Sequence, residues 1–226
     1  MLIQIPKVLS ADEIEHFRQQ LKLANWDDGR HSAGYLSRRV KDNAQLPDRD
    51  PVAESLGEII LASLDRNALF TSAALPLKIV PPLFNRYEVT QTYGPHIDGA
   101  IRPVTGTPCR VRTDLSATLF LSDPAEYDGG ELMIQDTYGE RSIKLSAGDM
   151  VLYPGTSVHR VSPVTRGVRL ASFFWIQSMV RDLAHRTTLF QLDNAIQSIA
   201  RDVPGHTGLV ELAGVYHNLL RDWGDT

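Results

Sequence analysis

Thr92-Tyr93-Gly94-Pro95-His96-Ile97-Asp98-Gly99 is the stretch around which the chain is organised. In an extended segment side chains alternate faces, so His96 and Asp98 project to one side while Ile97 points to the other. An imidazole and a carboxylate that converge in this way are two members of the two-histidine, one-carboxylate set that holds Fe(II) on one octahedral face and leaves the other positions open. Taken alone, His-x-Asp is a weak signal, and two solvated polar groups on a surface turn account for it more simply. The metal reading needs a distant histidine on a compatible strand and a cation beyond it.

The histidine that meets this need is His159, in Tyr153-Pro154-Gly155-Thr156-Ser157-Val158-His159-Arg160-Val161. Pro154-Gly155 marks a turn, and the alternation after it aims His159 inward and Arg160 away. His159 lies 61 residues after Asp98, a gap that holds four expected strands, enough to travel round a barrel and return. Ten residues further on, Arg169 heads the apolar run Leu170-Ala171-Ser172-Phe173-Phe174-Trp175-Ile176. A buried cation there needs an anionic partner, and a dicarboxylate cosubstrate would supply it. Arginine can grip a carboxylate through two parallel charge-assisted hydrogen bonds.

Outward from these residues, short apolar runs of strand length fall at 77–80, 84–89, 116–121, 131–134, 142–145, 150–153, 158–161 and 168–176. Turns at Asp128-Gly129-Gly130 and Ala147-Gly148-Asp149 separate some of them. This pattern suggests a double-stranded β-helix, or jelly roll, whose interior can enclose a small ligand. Before it, a weak alternation at 2–8 suggests a short strand, and Ser10 with Glu13 reads as a capping box for a helix over Ala11–Leu23. Residues 25–34 read as a loop, and Asp50-Pro51 opens a second helix to about residue 67. The segment 35–46 carries Arg38, Arg39 and Lys41, which form either a solvated face or the wall of a site for a polar substrate. After Met179 two helical stripes, broken at Pro204-Gly205, form a hairpin that cannot bury its apolar face alone. It must dock on the sheet or on another subunit, which makes it a candidate homodimer element. The expected class is α+β, mainly β with flanking helices, divided into an N-terminal helical support (1–76), a jelly-roll core (77–178) and a C-terminal helical subdomain (179–226).

Composition narrows the function. A chain of 226 residues with 42% hydrophobic and 22% charged residues can bury a substantial core. The net charge of -4 argues against a nucleic acid or an anionic membrane as the main partner, since both need a basic stripe. Cys109 is the only cysteine, which excludes a disulfide framework or a thiolate-rich metal site and suits a cytoplasmic setting. No apolar run is long enough to span a bilayer. His16, His31, His185, His206 and His217 have no spaced partner and read as surface or capping residues. Arg102, Arg110 and Arg112 lie in the long connection after the metal pair, where they either steer an acidic substrate or are merely solvated.

The chain resembles the Fe(II)- and 2-oxoglutarate-dependent dioxygenases, specifically the bacterial PKHD-type hydroxylases related to prolyl 4-hydroxylases. The resemblance covers 78–178 and rests on Asn85-Arg86-Tyr87, His96-Ile97-Asp98, Tyr127-Asp128-Gly129-Gly130-Glu131-Leu132, Ala147-Gly148-Asp149, Tyr153-Pro154, His159 and Arg169. It extends to 37–46 and to the C-terminal helices. It implies that His96, Asp98 and His159 ligate iron and that Arg169 binds the distal carboxylate of 2-oxoglutarate. Tyr87 would hydrogen-bond the same carboxylate, and Trp175 matches an aromatic on the strand beyond. Arg169 stands where prolyl 4-hydroxylases usually carry lysine, which keeps the carboxylate partner, and Thr90 stands where many relatives have glycine, which affects a turn.

The cofactors implied are Fe(2+), the cosubstrate 2-oxoglutarate and, by the same resemblance, L-ascorbate. The reaction implied is hydroxylation of a small-molecule or peptide substrate by O2 with release of succinate and CO2; related halogenases lack the carboxylate that Asp98 provides. A siderophore-like molecule or a prolyl or lysyl residue of a protein are the substrates that analogy suggests. Two other readings remain beside it: a cupin-like metalloenzyme that uses no 2-oxoglutarate, and a non-catalytic jelly roll that binds metal or ligand.

Overall fold

The computed structural model describes residues 1–136 and 139–226. Strand β1 (Ile3–Ile5) leads into helix α1 (Ala11–Leu23), which starts with the expected capping box: the Glu13 N–H donates to the Ser10 hydroxyl and the Ser10 N–H to the Glu13 carboxylate. The stretch read as a loop holds β2 (Asp27–Asp28) and a 3-10 turn at Gly29–Ser32, and β3 (Lys41–Asp42) and β4 (Ala44–Gln45) follow. Helix α2 (Pro51–Asp65) begins at Asp50, whose carboxylate accepts from the N–H groups of Val52 and Ala53. It ends earlier than expected because the Asn67 side chain caps a separate short helix, α3 (Ala68–Ala74).

The strands of the core come next: β5 (Pro76–Ile79), β6 (Leu83–Tyr87), β7 (Thr92–His96), the hairpin β8 (Ile101–Pro103) and β9 (Arg110–Arg112), and β10 (Leu115–Phe120). Then follow β11 (Asp128–Gly129), β12 (Leu132–Asp136), β13 (Gly139–Ile143), β14 (Met150–Pro154), β15 (His159–Val161), β16 (Val164–Arg166) and β17 (Arg169–Ser178). The apolar runs of the sequence all appear as strands, with ends shifted by at most three residues. The β8–β9 hairpin was not expected, since its short polar strands carry no apolar signal. The chain closes with α4 (Leu183–Asp202) and α5 (Gly208–Trp223).

Pairing is antiparallel in two main sheets, one ordered β1-β14-β10-β17-β6-β4-β2 with β5 also on β17, the other β13-β12-β15-β7-β3. Alternation assigns the faces of the larger sheet. Leu115, Ala117 and Leu119 of β10, Met150 and Leu152 of β14, and Phe174 and Ile176 of β17 pack with residues of α1, α2 and α3. The residues between them, such as Phe120, Val151 and Tyr153, pack with Leu132, Ile134 and Val161 of the smaller sheet. Central strands covered on both faces read as continuous apolar runs, which is why they were visible in the sequence.

The tail docks within its own chain. Leu189 of α4 is buried with Leu75 and Val180 against Leu219 and Trp223 of α5, and the Ser72 hydroxyl of α3 donates to Asp193 of α4. Part of the apolar face that sequence alone assigned to a sheet or a second subunit is therefore met within the chain, by the packing of α4 on α5, α3 and the loop after β17. No described helix is long and apolar enough to cross a membrane.

Two turns give stability tests. A Cβ on Gly155, in the turn that delivers β15, would stand 2.2 Å from the Thr113 carbonyl oxygen, and a clash with backbone cannot be relieved by a rotamer change. Gly155→Ala is expected to cost roughly 1–3 kcal/mol, read as a lower urea midpoint at constant slope. Thr90 is held at φ +76°, a left-handed conformation unfavourable for a β-branched residue. Thr90→Gly is expected to raise stability by up to about 1 kcal/mol in the same measurement.

Candidate active site

The smaller sheet brings the two histidines together. His96 ends β7 and His159 opens β15, and the two are direct cross-strand partners with ring centroids 4.2 Å apart. Asp98 lies just beyond the end of β7, and its Oδ2 is 3.7 Å from His159 Nε2. One donor atom from each of the three residues falls within 4.8 Å of the others. The alternation argument is thus met in its outcome, with Asp98 placed by the loop after the strand rather than by the strand itself.

Each donor is held from behind. His96 Nδ1 lies 2.8 Å from the Gly94 carbonyl and His159 Nδ1 lies 3.0 Å from that of Ser157. Those carbonyls can only accept, so each Nδ1 carries the proton and Nε2 keeps the lone pair for a metal. Burial, and then the neighbouring His159, push the His96 imidazole down to about 4, so it stays neutral. Tyr93 stacks on His96 at 3.6 Å and Tyr153 meets His159 edge-on at 5.2 Å. From the larger sheet, the Ser116 hydroxyl donates to Asp98 Oδ2 over 2.7 Å. Two imidazoles and a carboxylate at this separation are a donor set that fits a divalent iron.

Arg169 enters the same cavity from β17, opposite Tyr87 on β6, with 1% of its surface exposed. Its guanidinium lies 5.3 Å from the ring centroids of both Tyr87 and Phe120. Among the described residues it has no carboxylate partner: its one hydrogen bond is a long 3.5 Å contact to Asn85 Oδ1, and Nε has none. A buried guanidinium so poorly matched is a site for an anion. The Tyr127 hydroxyl is likewise buried without a partner, while burial pushes the Tyr87 phenol up to about 12 and keeps it protonated as a donor. Gly130 makes room for this arrangement: its φ is +66°, and a Cβ there would come 3.1 Å from both Arg169 Cδ and the Tyr127 ring. The residues present fit a dicarboxylate cosubstrate.

The cavity therefore gathers His96, Asp98, His159, Arg169, Tyr87 and Trp175. Sequence reasoning missed Ser116, for which no local signal exists, and Tyr93, Tyr127 and Tyr153, which lay within recognised motifs without a role. Lys41 is buried in the cavity wall and Arg38 and Arg39 are not, so the basic segment divides between its two readings. Of the other arginines, Arg160 pairs with Glu140, Arg166 with Asp128 and Arg112 with Asp114, which leaves Arg102 to line the cavity. The five remaining histidines are all exposed, as expected.

Comparison with known proteins agrees with this chemistry. The 2OG-Fe(II) oxygenase superfamily matches residues 82–177, and the PKHD-type hydroxylase C-terminal domain matches 184–225. A PKHD-type hydroxylase of Saccharophagus degradans is 57% identical over 226 residues, covering all of both chains. One of Bordetella pertussis is 57% identical over 225 residues, again covering both completely. A prolyl-4-hydroxylase of Pseudomonas putida has a similar fold, with TM-score 0.51 and 19% identity over 78% of this chain and 92% of its own. HygX of Streptomyces hygroscopicus, solved with nickel, 2-oxoglutarate and hygromycin B, gives TM-score 0.53 and 18% identity over 79% of this chain and 84% of its own. With its full length aligned to such relatives, the chain belongs to the PKHD-type hydroxylases of the 2OG-Fe(II) oxygenase superfamily.

Proposed function

We propose that His96, Asp98 and His159 hold the Fe(II) of this 2-oxoglutarate-dependent oxygenase and that Arg169, with Tyr87, receives the distal carboxylate of 2-oxoglutarate. The observation that carries the reading is the buried guanidinium without a carboxylate, in one cavity with a three-donor cluster. Iron and 2-oxoglutarate together supply the oxidising chemistry by which O2 yields a hydroxylated product, succinate and CO2. The chain supplies the geometry. The Gly94 and Ser157 carbonyls fix the imidazole tautomers, Ser116 orients Asp98, and Tyr93 and Tyr153 wall the histidines from water. A cosubstrate anchored on the larger sheet and donors on the smaller one would be held at a set separation, which is the proximity contribution the fold makes.

The same reading takes the two sheets as the halves of a double-stranded β-helix, flanked by a helical support at 1–76 and a helical subdomain at 179–226, with the core at 77–178. Family matches at 82–177 and 184–225 support that division. It includes L-ascorbate as a reductant, carried over from the family resemblance, and a cytoplasmic setting, supported by the free Cys109. A second subunit is not part of it, because Leu189 of α4 already docks on Leu75 and Val180 of its own chain. The cupin-like and non-catalytic readings give way, since the family is one of 2-oxoglutarate oxygenases.

Anaerobic addition of Fe(II) and 2-oxoglutarate should produce a weak visible charge-transfer band that titrates with the cosubstrate. His159→Ala should abolish the band. Arg169→Met should raise the apparent 2-oxoglutarate Kd at least ~30-fold, the low end of the cost of removing one partner of a buried charge pair. A band of unchanged affinity in Arg169→Met would refute the assignment of the cosubstrate site. Ser116→Ala should keep the fold but weaken metal binding by about 10–100-fold in a competition titration with a chelator.

A further inference from the structure

Three cations line the cavity, and Arg169 accounts for one. Lys41, 5% exposed on β3, donates from Nζ to Ser32 Oγ over 2.8 Å and to Gln45 Oε1 over 3.0 Å. Both acceptors are neutral, and an ammonium group has a third N–H to give. Arg102, half-buried on β8, lies 4.1 Å over the Trp175 ring and makes no ion pair or hydrogen bond recorded among the described residues. The two cations are linked by aromatic rings. Lys41 Nζ stands 5.2 Å from the Tyr93 centroid and 5.8 Å from that of Phe173, and Phe173 meets Trp175 edge-on at 5.6 Å. Burial, and then the positive field of Arg102, push the Lys41 ammonium down to about 8, so Lys41 lies within the field of Arg102.

Charge balance sharpens the point. Among the described residues Asp98 is the single carboxylate lining the cavity, and it is committed to the donor cluster and to Ser116. A divalent metal and a dianionic cosubstrate cancel each other, and Asp98 offsets one of the three cations. Among the described lining residues an excess of positive charge is left for something else, although Asp48 of the adjoining groove also attracts Arg102. A neighbouring groove shares Arg102 and Trp175, and its walls combine apolar Val80, Pro82 and Val104 with the acids Asp48, Glu54 and Glu58, of which Glu54 pairs with Arg49. Such a groove accepts an uncharged body and repels an anion, which turns the charged end of a ligand toward Lys41 and Arg102.

We propose that Lys41 and Arg102 form the receptor for the primary substrate's anionic group, and that this substrate is a small molecule bearing a carboxylate on a flat, apolar body. The proposal rests on the assignment of Arg169 to the cosubstrate. The aromatic strip would pack the body, and the two cations would set which carbon faces the metal. Both are specificity-determining residues, with no part in holding iron or 2-oxoglutarate.

Benzoate and its neutral isostere benzamide are the probes, titrated calorimetrically into the full-length protein loaded with Ni(II), a stand-in for Fe(II), and 2-oxoglutarate. Benzoate should bind at least about tenfold more tightly than benzamide, as expected for charge-assisted hydrogen bonds. Lys41→Met and Arg102→Met should each erase the preference while 2-oxoglutarate affinity stays within about twofold, since the cosubstrate carboxylate is assigned to Arg169 and Tyr87. Arg102 is half-buried, so its variant remains informative if Lys41→Met fails to fold. Equal affinity for the two probes, a preference that survives Arg102→Met, or displacement of 2-oxoglutarate by benzoate would each overturn the proposal. Arg169→Met separates the two assignments: retention of 2-oxoglutarate by that variant would sink the cosubstrate site, and loss of 2-oxoglutarate alone would leave the benzoate preference as the test of Lys41 and Arg102.

Discussion

A guanidinium shut between two β-sheets with no carboxylate to meet it is the constraint on which the rest of this structure depends. Removing an arginine from water costs several kcal/mol unless its donors are met. Arg169 is buried at 1% exposure with rings on two sides and one long contact to Asn85. Nothing about folding alone favours that arrangement. The Tyr127 hydroxyl lies buried near it, and Gly130 leaves room that a Cβ, 3.1 Å from Arg169 Cδ, would tighten. An enzyme can tolerate such a deficit when its ligand relieves it, and stability is then coupled to ligand concentration.

The two sheets divide the work. The smaller sheet carries both histidines as cross-strand partners, while the larger carries Arg169, Tyr87 and Ser116 on its inward face and α1, α2 and α3 on its outward face. Interiors packed to this degree transmit displacements poorly absorbed by side-chain motion, so the separation between donors and guanidinium is set by how the sheets close on each other. The helices act at one remove: they cover the outer face, and the central strands can then afford polar groups inward.

The same geometry explains which polar residues are structural and which are chemical. Arginines at 112, 160 and 166 each find a carboxylate nearby; the pairs of 160 and 166 are exposed and worth little individually, while Arg112 with Asp114 is largely buried. Lys41 and Arg102 form no ion pair among the described residues, and they line the cavity. Charge alone therefore does not set these cations apart; a place in the shared cavity does.

The apolar runs, the caps at Ser10 and Asp50 and the break at Pro204-Gly205 were legible because each reports a local preference of backbone or burial. His96, Asp98, His159 and Arg169 were legible as a spaced set, since their residue types are unusual beside strands so apolar. Asn67 as a second cap, the β8–β9 hairpin and the turn inside residues 25–34 were not, because short polar segments take their shape from what they pack against. Ser116 looks like any serine in a strand until β10 is laid against the loop that carries Asp98. By itself the sequence determined the order of elements, the candidate donors and the family they resemble. Only the tertiary structure decided which cations lack partners and share one cavity, because pairing depends on distances between residues far apart in the chain, and no local pattern encodes them.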